Sequence, residues 1–135
     1  MKVICQVLEC LLYLWQLPQN LLGLGLLLLF GYKDSFDYQK AMVYSVNWMK
    51  SGVSLGKYII LHNPDSLSIC HEYGHCRQSR LLGPFYLIAV GLWSGLRAGF
   101  NLYKPGEYYK YYPENWADEL GGIYWDEDGV RRVKI

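Results

Sequence analysis

The chain lacks an excess of charge of either sign. Thirteen lysine and arginine residues face 12 aspartate and glutamate residues, which leaves a formal net charge of +1 over 135 residues. This balance produces no long-range field that would attract nucleic acid, and the sequence contains no motif of a DNA- or RNA-binding domain. We therefore expect no nucleic-acid partner. The length is enough for one domain with a modest hydrophobic core.

The chain has four cysteines, and their spacing argues against local disulfides. In a helix, Cys70 and Cys76 would lie about 9 Å apart along the axis, and Cys5 and Cys10 about 7.5 Å apart on different faces. Local pairing is therefore excluded, whereas a long-range pair remains open. Reduced thiols suit a protein that faces a reducing compartment.

Basic residues are absent from residues 3–30, an apolar stretch in which Glu9 is the single acid. The stretch is longer than the roughly 20 residues that cross a bilayer core. Pro18 and its polar neighbours interrupt it, which predicts two helical pieces joined by a kink. Apolar residues continue beyond the interruption, where a cleaved signal peptide would give way to a polar mature chain. We therefore expect residues 1–32 to be a retained membrane-anchoring segment kinked near Pro18.

The polar residues beside the kink have two interpretations. Gln16, Gln19 and Asn20 either face protein, a cleft or the membrane surface, or they satisfy backbone groups that the proline frees within a single kinked anchor. Lysines are more frequent after the anchor than before it, which favours a cytoplasmic location for the catalytic part.

Residues 33–135 are more polar and are predicted to form an α+β domain that is mainly helical and has a short sheet. Residues 37–44 are compatible with an amphipathic helix, and residues 53–61 are β-branched and aromatic, which predicts a strand. Residues 81–100 form a second apolar stretch. We expect a hairpin there that crosses, re-enters or lies along the bilayer, or else is buried inside the domain.

Only three histidines occur, and two of them, His71 and His75, flank Glu72 in a His-Glu-x-x-His run. In a helix, predicted here with Asp65 or Ser66 as its cap, the two imidazoles lie one turn apart on one face and can bind one zinc ion. Glu72 then lies beside the open coordination position, where a carboxylate can take the proton from a water molecule. The run therefore predicts a metal site with Glu72 as the general base.

A catalytic zinc normally has three protein ligands, so a third donor is expected downstream. Residues 113–122 predict a short helix, with a proline in the first turn and two glycines at its end. Glu114 and Asp118 share one face of this helix. Glu114 is the predicted third ligand, and Asp118 is predicted to accept a hydrogen bond from the far ring nitrogen of a ligand histidine.

These two motifs, His-Glu-x-x-His and Glu-x-x-Ala-Asp, together resemble those of the gluzincin zinc peptidases. The second motif is most similar to that of the membrane-embedded gluzincins, which include the prenyl-protein endopeptidases, and the short chain is similar to the minigluzincins. The resemblance implies one Zn²⁺ ion held by His71, His75 and Glu114. It also implies that Glu72 is the general base and that Asp118 supports a ligand histidine.

The resemblance, which covers roughly residues 53 to 122, also implies a role for the strand ahead of the zinc helix. In gluzincins a sheet edge at this place pairs with extended substrate, and main-chain pairing is a physically reasonable way to hold a peptide. Tyr58, Ile59, Ile60 and Leu61 are the residues implied for this role. An ordinary core strand is the alternative.

Tyrosines cluster just before the second motif, and one hydroxyl near the metal could donate to the oxyanion of a tetrahedral intermediate. Anchoring of a peripheral loop at an interface is the alternative. The cluster comprises Tyr103, Tyr108, Tyr109, Tyr111 and Tyr112. Beyond the second motif, residues 123–133 predict a hairpin around an acidic turn that contains Gly129.

We therefore expect a membrane-associated zinc endopeptidase that hydrolyses peptide bonds with a zinc-activated water. Its expected partners are the lipid bilayer and a peptide or protein substrate close to the membrane, because the anchor confines the site near the bilayer. One alternative is a non-enzymatic or latent membrane protein whose zinc clips two helices together, with latency through residues 125–135 implied by the resemblance to minigluzincins. A membrane scaffold without metal is a further alternative.

Overall fold

Two N-terminal helices meet at a sharp bend. In the computed structural model, which describes residues 1–100 and 106–134, α1 (Lys2–Trp15) and α2 (Leu17–Phe30) are bent by 83° relative to each other. Pro18 lies in the first turn of α2, where its missing N–H removes no helical hydrogen bond, so the chain bends between the helices and not within one. Every residue of α1 is exposed or partly exposed.

The polar residues that follow the bend face protein. Gln19 is fully buried and donates through Nε2 to Ser79 Oγ at 2.8 Å and to Gly83 O at 2.7 Å. Asn20 is also fully buried, and its Oδ1 accepts a hydrogen bond from the backbone N–H of Lys57 at 2.7 Å. These bonds dock the start of α2 onto the rest of the protein.

No single helix in the described ranges, 1–100 and 106–134, is both long and apolar enough to cross a bilayer alone. Two pairs of helices reach the length and composition together, each with a sharp bend at a short break. One pair is α1 with α2, and the other is Ser66–Phe85 with Leu87–Gly99, which meet at 119°.

A four-stranded sheet follows α2. Its strands lie in the order β1 (Asp34–Tyr38), β2 (Ala41–Ser45), β4 (Tyr58–Leu61) and β3 (Gly52–Leu55). β2 and β4 are parallel, and the other neighbours are antiparallel. Residues 37–44 therefore belong to a hairpin instead of a helix. Gln39 takes a left-handed conformation, with φ of 54°, at the turn of this hairpin.

Two expectations about residues 53–61 are wrong. Gly56, with φ of 66°, turns the chain back on itself, so the stretch is the β3–β4 hairpin instead of one strand. β4 lies between β2 and β3, so Tyr58–Leu61 do not form a sheet edge. Ile59, Ile60 and Leu61 are instead buried core residues. The edge strand on this side of the sheet is β3.

Both predicted helices of the metal site are present, as α3 (Ser66–Leu82) and α5 (Glu114–Gly121). Asp65 caps α3, because its Oδ1 accepts a hydrogen bond from the Ser68 N–H at 2.9 Å. α3 contributes Ile69 and Cys76 to a core that includes Val43, Ile59 and Leu61 of the sheet. Gly122, in a left-handed conformation with φ of 79°, ends α5.

Two glycines let α3 and α5 come into direct backbone contact. A β-carbon at Gly74 of α3 would lie 1.8 Å from the carbonyl oxygen of Ala117, and one at Gly121 of α5 would lie 1.9 Å from that of Cys70. Only glycine fits at such distances. This close approach brings the ligand-bearing faces of the two helices together.

The second apolar stretch continues from α3 after a sharp bend. It passes through a 3₁₀ turn (Gly83–Phe85) and a π-helical turn (Leu87–Leu92) into α4 (Trp93–Gly99). We call residues 87–99 the apolar arm. Val90 of the arm is fully buried, but its large side chains are mostly exposed, namely Ile88, Leu92, Trp93 and Leu96. The arm is therefore not the fully buried hairpin that was one of the alternatives.

The C-terminal hairpin is present as predicted. β5 (Ile123–Trp125) and β6 (Arg131–Val133) pair antiparallel. Gly129 lies in the turn between them with φ of 75°. β6 packs beside α3 and so reaches the predicted metal site.

Candidate metal centre

α3 and α5 bring His71, His75 and Glu114 together, as the sequence predicts. Oε2 of Glu114 lies 3.0 Å from Nε2 of His71 and 2.9 Å from Nε2 of His75. All three side chains are buried, and their ligand atoms lie within 4.8 Å of one another. Donor atoms around a tetrahedral zinc, with bonds of about 2.0–2.1 Å, are separated by about 3.3 Å. The cluster therefore has the dimensions of a metal site.

The far ring nitrogens fix the tautomers of the two histidines. Nδ1 of His71 lies 2.6 Å from Asp118 Oδ1, and Nδ1 of His75 lies 2.7 Å from Gln78 Oε1. Gln78 is oriented by its own bond from Nε2 to Pro113 O at 3.0 Å. Both partners are acceptors, so each Nδ1 carries the hydrogen and each Nε2 of a neutral ring keeps a lone pair. Three acceptor atoms thus face one another, and a cation satisfies them.

The surrounding charges favour a cation at this place. Burial would lower the pKa of His71, but hydrogen bonds to Asp118 and Glu114 outweigh it and raise that pKa to about 9. Burial would raise the pKa of Glu114, but hydrogen bonds to His71 and His75 hold it well below its usual range. The carboxylates are thus ionised and attract positive charge, which a metal ion can supply when it displaces the extra proton from the His71 ring.

Arg131 of β6 belongs to the centre, although the sequence did not predict it. Its Nε donates to Asp118 Oδ2 at 2.8 Å, and its Nη2 donates to Asp118 Oδ1 at 2.6 Å. The guanidinium also lies 3.3 Å from the centroid of the Tyr109 ring, which packs edge-on against His71 with centroids 5.0 Å apart. Arg131 therefore holds both the carboxylate and the aromatic ring that orient His71.

The second oxygen of Glu114 is bound by two hydroxyl groups, one from Tyr108 of the tyrosine cluster and one from Ser94, which the sequence did not predict. Tyr108 donates to Oε1 at 2.9 Å, and Ser94 of the apolar arm makes a short hydrogen bond to the same oxygen. Within the tyrosine cluster, Tyr108 thus reaches a ligand and Tyr109 contacts His71. Tyr103 lies outside the described residues.

Glu72 lies beside the cluster in a buried position, with 8% of its surface exposed. Its carboxylate approaches β3, where a β-carbon at Gly52 would come within 3.0 Å of Oε1. Burial raises the pKa of Glu72, while the charges of His75 and His71 act in the opposite direction. A carboxylate with a raised pKa is a stronger base, which suits proton transfer.

Glu72 and His71 line two cavities that flank the centre. One has a volume of about 460 Å³, is mainly apolar and also contains the other two candidate ligands. Its apolar lining includes Leu22, Leu55, Tyr86, Leu87 and Ala98. The other has a volume of about 310 Å³, is mainly polar and includes Lys50, His62, Asn63 and Arg131. Ser51 and Gly52, at the start of the edge strand β3, line both cavities.

The residues predicted to pair with substrate lie within the sheet, although Leu61 also lines the polar cavity. Tyr58 donates to or accepts from Tyr13 of α1 through their hydroxyl groups at 3.1 Å, and it packs against Tyr44. Ile59, Ile60 and Leu61 are buried between the neighbouring strands and the helices. Both hydrogen-bonding sides of β4 are occupied by strands, whereas β3 is an edge strand whose residues line the apolar cavity beside the centre.

Comparison with models of known protein families, with curated proteins and with solved structures finds no match for this chain. The functional assignment of the centre therefore rests on the residues described above.

Proposed function

We propose that the protein is a membrane-associated zinc endopeptidase of the gluzincin type. The observation that carries the proposal is the set of three buried acceptor atoms, from His71, His75 and Glu114, with the buried carboxylate of Glu72 beside it. A structural zinc has no need of a base and usually has four protein ligands. Three ligands and a neighbouring carboxylate, opening onto a large cavity, are the arrangement of a hydrolytic site.

In this proposal Zn²⁺, when bound, supplies a Lewis acid that polarises the peptide carbonyl and acidifies a water molecule. Glu72 accepts a proton from the attacking water while the water oxygen forms a bond to the carbonyl carbon. The same carboxyl group then donates that proton to the amide nitrogen as the carbon–nitrogen bond breaks. Asp118 and Gln78 keep the hydrogens of both imidazoles on Nδ1 throughout.

The substrate in this proposal is an extended peptide that adds to the edge strand β3 (Gly52–Leu55). A sheet edge can hold a peptide main chain by hydrogen bonds, while neighbouring pockets select its side chains. Ser54 O of β3 already accepts a hydrogen bond from Tyr86 at 3.0 Å, so in this proposal the peptide pairs at the start of the strand. The apolar cavity of about 460 Å³ next to β3 is large enough for a large apolar side chain. This shifts the role expected of Tyr58–Leu61 to the neighbouring strand.

The membrane part of the proposal is supported by the exposed apolar surface of α1 and of the apolar arm. Val3, Ile4 and Val7 of α1 are each more than half exposed, as are Ile88 and Leu92 of the arm. Exposed apolar surface of this extent marks a contact with a membrane or with another protein. We assign it to the lipid bilayer, with the catalytic part on the cytoplasmic side, so that the substrate is a peptide close to the membrane.

The test is zinc content and peptide cleavage by the full chain in detergent, with a peptide mixture rich in large apolar residues. Glu72→Gln keeps the ligands and removes the base, so we expect unchanged zinc content and at least about a 100-fold loss of cleavage. Glu119→Gln, which removes an exposed charge from α5, is the control and should leave both unchanged. Zinc without any cleavage by the unaltered protein would favour the metal clip or the latent form, and cleavage by Glu72→Gln at the original rate would refute the role of Glu72.

A further inference from the structure

Glu114 presents its two carboxylate oxygens to different surroundings. Oε2 faces Nε2 of His71 and of His75 at 3.0 and 2.9 Å. Oε1 points away from both rings and accepts hydrogen bonds from Ser94 and Tyr108. The carboxylate is almost completely buried, so its orientation is set by these partners and not by water.

The two hydroxyl groups have no other hydrogen to offer. A serine or tyrosine hydroxyl carries a single hydrogen, and an ionised carboxylate can only accept. Each hydroxyl lies within hydrogen-bond distance of Oε1, and Ser94 Oγ and Tyr108 OH also lie within hydrogen-bond distance of each other, at 3.2 Å. Turning Oε1 toward the imidazoles would break both of its hydrogen bonds, which opposes that rotation.

A carboxylate can bind a metal ion through one oxygen or through both. We propose that Ser94 and Tyr108 are positioning residues that hold Glu114 as a one-oxygen metal ligand, which makes the apolar arm part of the metal centre. This inference rests on the metal binding proposed above. Ser94 lies on the inner side of the arm, between Gly91 and Gly95, which line the same cavity without side chains to obstruct it.

The chain offers a matched control for this inference. Tyr112 lies two residues before Glu114, and its hydroxyl donates to Ala89 O of the arm at 2.6 Å. Tyr112→Phe thus removes a tyrosine hydrogen bond that ties the same loop to the same arm. It leaves both bonds to Oε1 of Glu114 intact, so it separates an effect on the fold of the arm from an effect on the ligand.

The first measurement is the affinity of the full chain for Zn²⁺, by competition with a chromophoric chelator in detergent. We expect Ser94→Ala and Tyr108→Phe each to weaken zinc binding by about 10-fold or more, the range seen when partners of metal ligands are removed. Ser94→Thr keeps the hydroxyl and should restore affinity close to that of the unaltered protein. Tyr112→Phe should bind zinc as the unaltered protein does.

The second measurement uses Co²⁺ as a spectroscopic substitute for zinc. When Oε1 is released, it can join Oε2 on the metal, which raises the coordination number. Ser94→Ala and Tyr108→Phe should therefore show weaker visible absorption bands than the unaltered protein and Tyr112→Phe. A loss of fold alone would lower the amount of bound Co²⁺ without this change per bound ion.

The outcomes separate this inference from the proposed function. If the unaltered protein binds no Zn²⁺, the proposed metal site fails and this inference fails with it. If the unaltered protein binds Zn²⁺ but Ser94→Ala and Tyr108→Phe match Tyr112→Phe in affinity and in Co²⁺ spectrum, the inference is overturned while the metal site stands.

Discussion

Where α3 meets α5, polar groups are buried and paired, whereas along α1 and the apolar arm large apolar side chains are exposed. Glu114 is 1% exposed and has hydrogen-bond partners at both oxygens, while Ile88 of the arm is 67% exposed and Val3 of α1 is 69% exposed. The α3–α5 contact is thus completed by the chain itself, apart from a cation. We propose that lipid covers the outer apolar surface.

The two regions depend on different physical terms. Metal binding at the α3–α5 contact depends on the exact positions of the acceptor atoms, because a shift of less than 1 Å changes whether they can share an ion. The free energy gained by covering the apolar surface depends on its area, because the removal of apolar groups from water is non-directional. Substitutions in the two regions should therefore have different kinds of effect, and the following experiments are designed to separate them.

The largest effect is expected from Gly74→Ala in α3. The added methyl group would lie 1.8 Å from the backbone oxygen of Ala117, so the helices must separate. We expect a loss of more than about 3 kcal/mol in the free energy of unfolding, the upper end of overpacking costs, together with loss of zinc binding. Gly25→Ala in α2, where a β-carbon meets no atom within 4 Å, should gain up to about 1 kcal/mol. Chemical denaturation measures both, and equal effects of the two variants would refute the difference between the regions.

A second effect concerns the apolar surface. Replacing Ile88 and Leu92 together by aspartate should leave zinc binding intact and reduce binding to phosphatidylcholine vesicles. Burial of each apolar side chain contributes about 2 kcal/mol, so the combined loss should exceed roughly 100-fold in partitioning. Val130→Asp, at an exposed apolar residue beside the turn of the C-terminal hairpin, is the control for added charge. Vesicle flotation that is unchanged in the double variant would exclude the arm as a lipid contact.

A smaller effect is expected at Arg131. Arg131→Ala removes both hydrogen bonds to Asp118 and should weaken zinc binding by about 10- to 100-fold, because Asp118 then no longer holds the His71 ring firmly. Arg132→Ala, at the next residue of β6, removes an exposed ion pair with Asp126 and should not change zinc affinity. Chelator competition measures both. Equal affinities of the two variants would show that Arg131 does not support the centre.

The smallest effect is a dependence of stability on pH in zinc-free protein. The pKa of His71 is about 9 in the folded chain and about 6.5 when unperturbed. Because the folded state binds this proton more tightly than the unfolded state, protonation of His71 stabilises the folded state. The stabilisation is complete below pH 6.5 and is lost as the pH rises toward 9. The melting temperature of zinc-free protein should therefore fall between about pH 6.5 and 9, and less so in Asp118→Asn. A flat profile in the unaltered protein would contradict the assigned charge balance.

Much of the metal centre could be predicted from the sequence, because its residues follow helical spacing. His71 and His75 are one turn apart, as are Glu114 and Asp118, and each pair is therefore on one face wherever the helix lies. Their meeting in space depends on the α3–α5 contact. Gly74, inside the first motif, is the sequence feature that could have indicated it, since a glycine within a helix costs stability unless it allows close packing.

Other parts of the centre depend on contacts between residues far apart in the chain. Arg131 reaches Asp118, 13 positions earlier, because the C-terminal hairpin returns it to the centre. Ser94 bonds to Glu114 across 20 positions of the chain, and no periodic pattern relates the two residues. A polar residue within an apolar stretch was the available signal for Ser94. The strand prediction failed at Gly56, because an apolar run is equally compatible with one long strand and with two short strands joined by a glycine turn.

The most direct test of the central claim is the zinc stoichiometry of the full chain, measured by elemental analysis after dialysis against metal-free buffer. The account predicts one zinc ion per chain in the unaltered protein and in Glu119→Ala. It predicts loss of that ion in His75→Ala and in Glu114→Ala. Stoichiometric zinc in Glu114→Ala, bound as tightly as in the unaltered protein, would contradict the proposal that α5 supplies the third ligand.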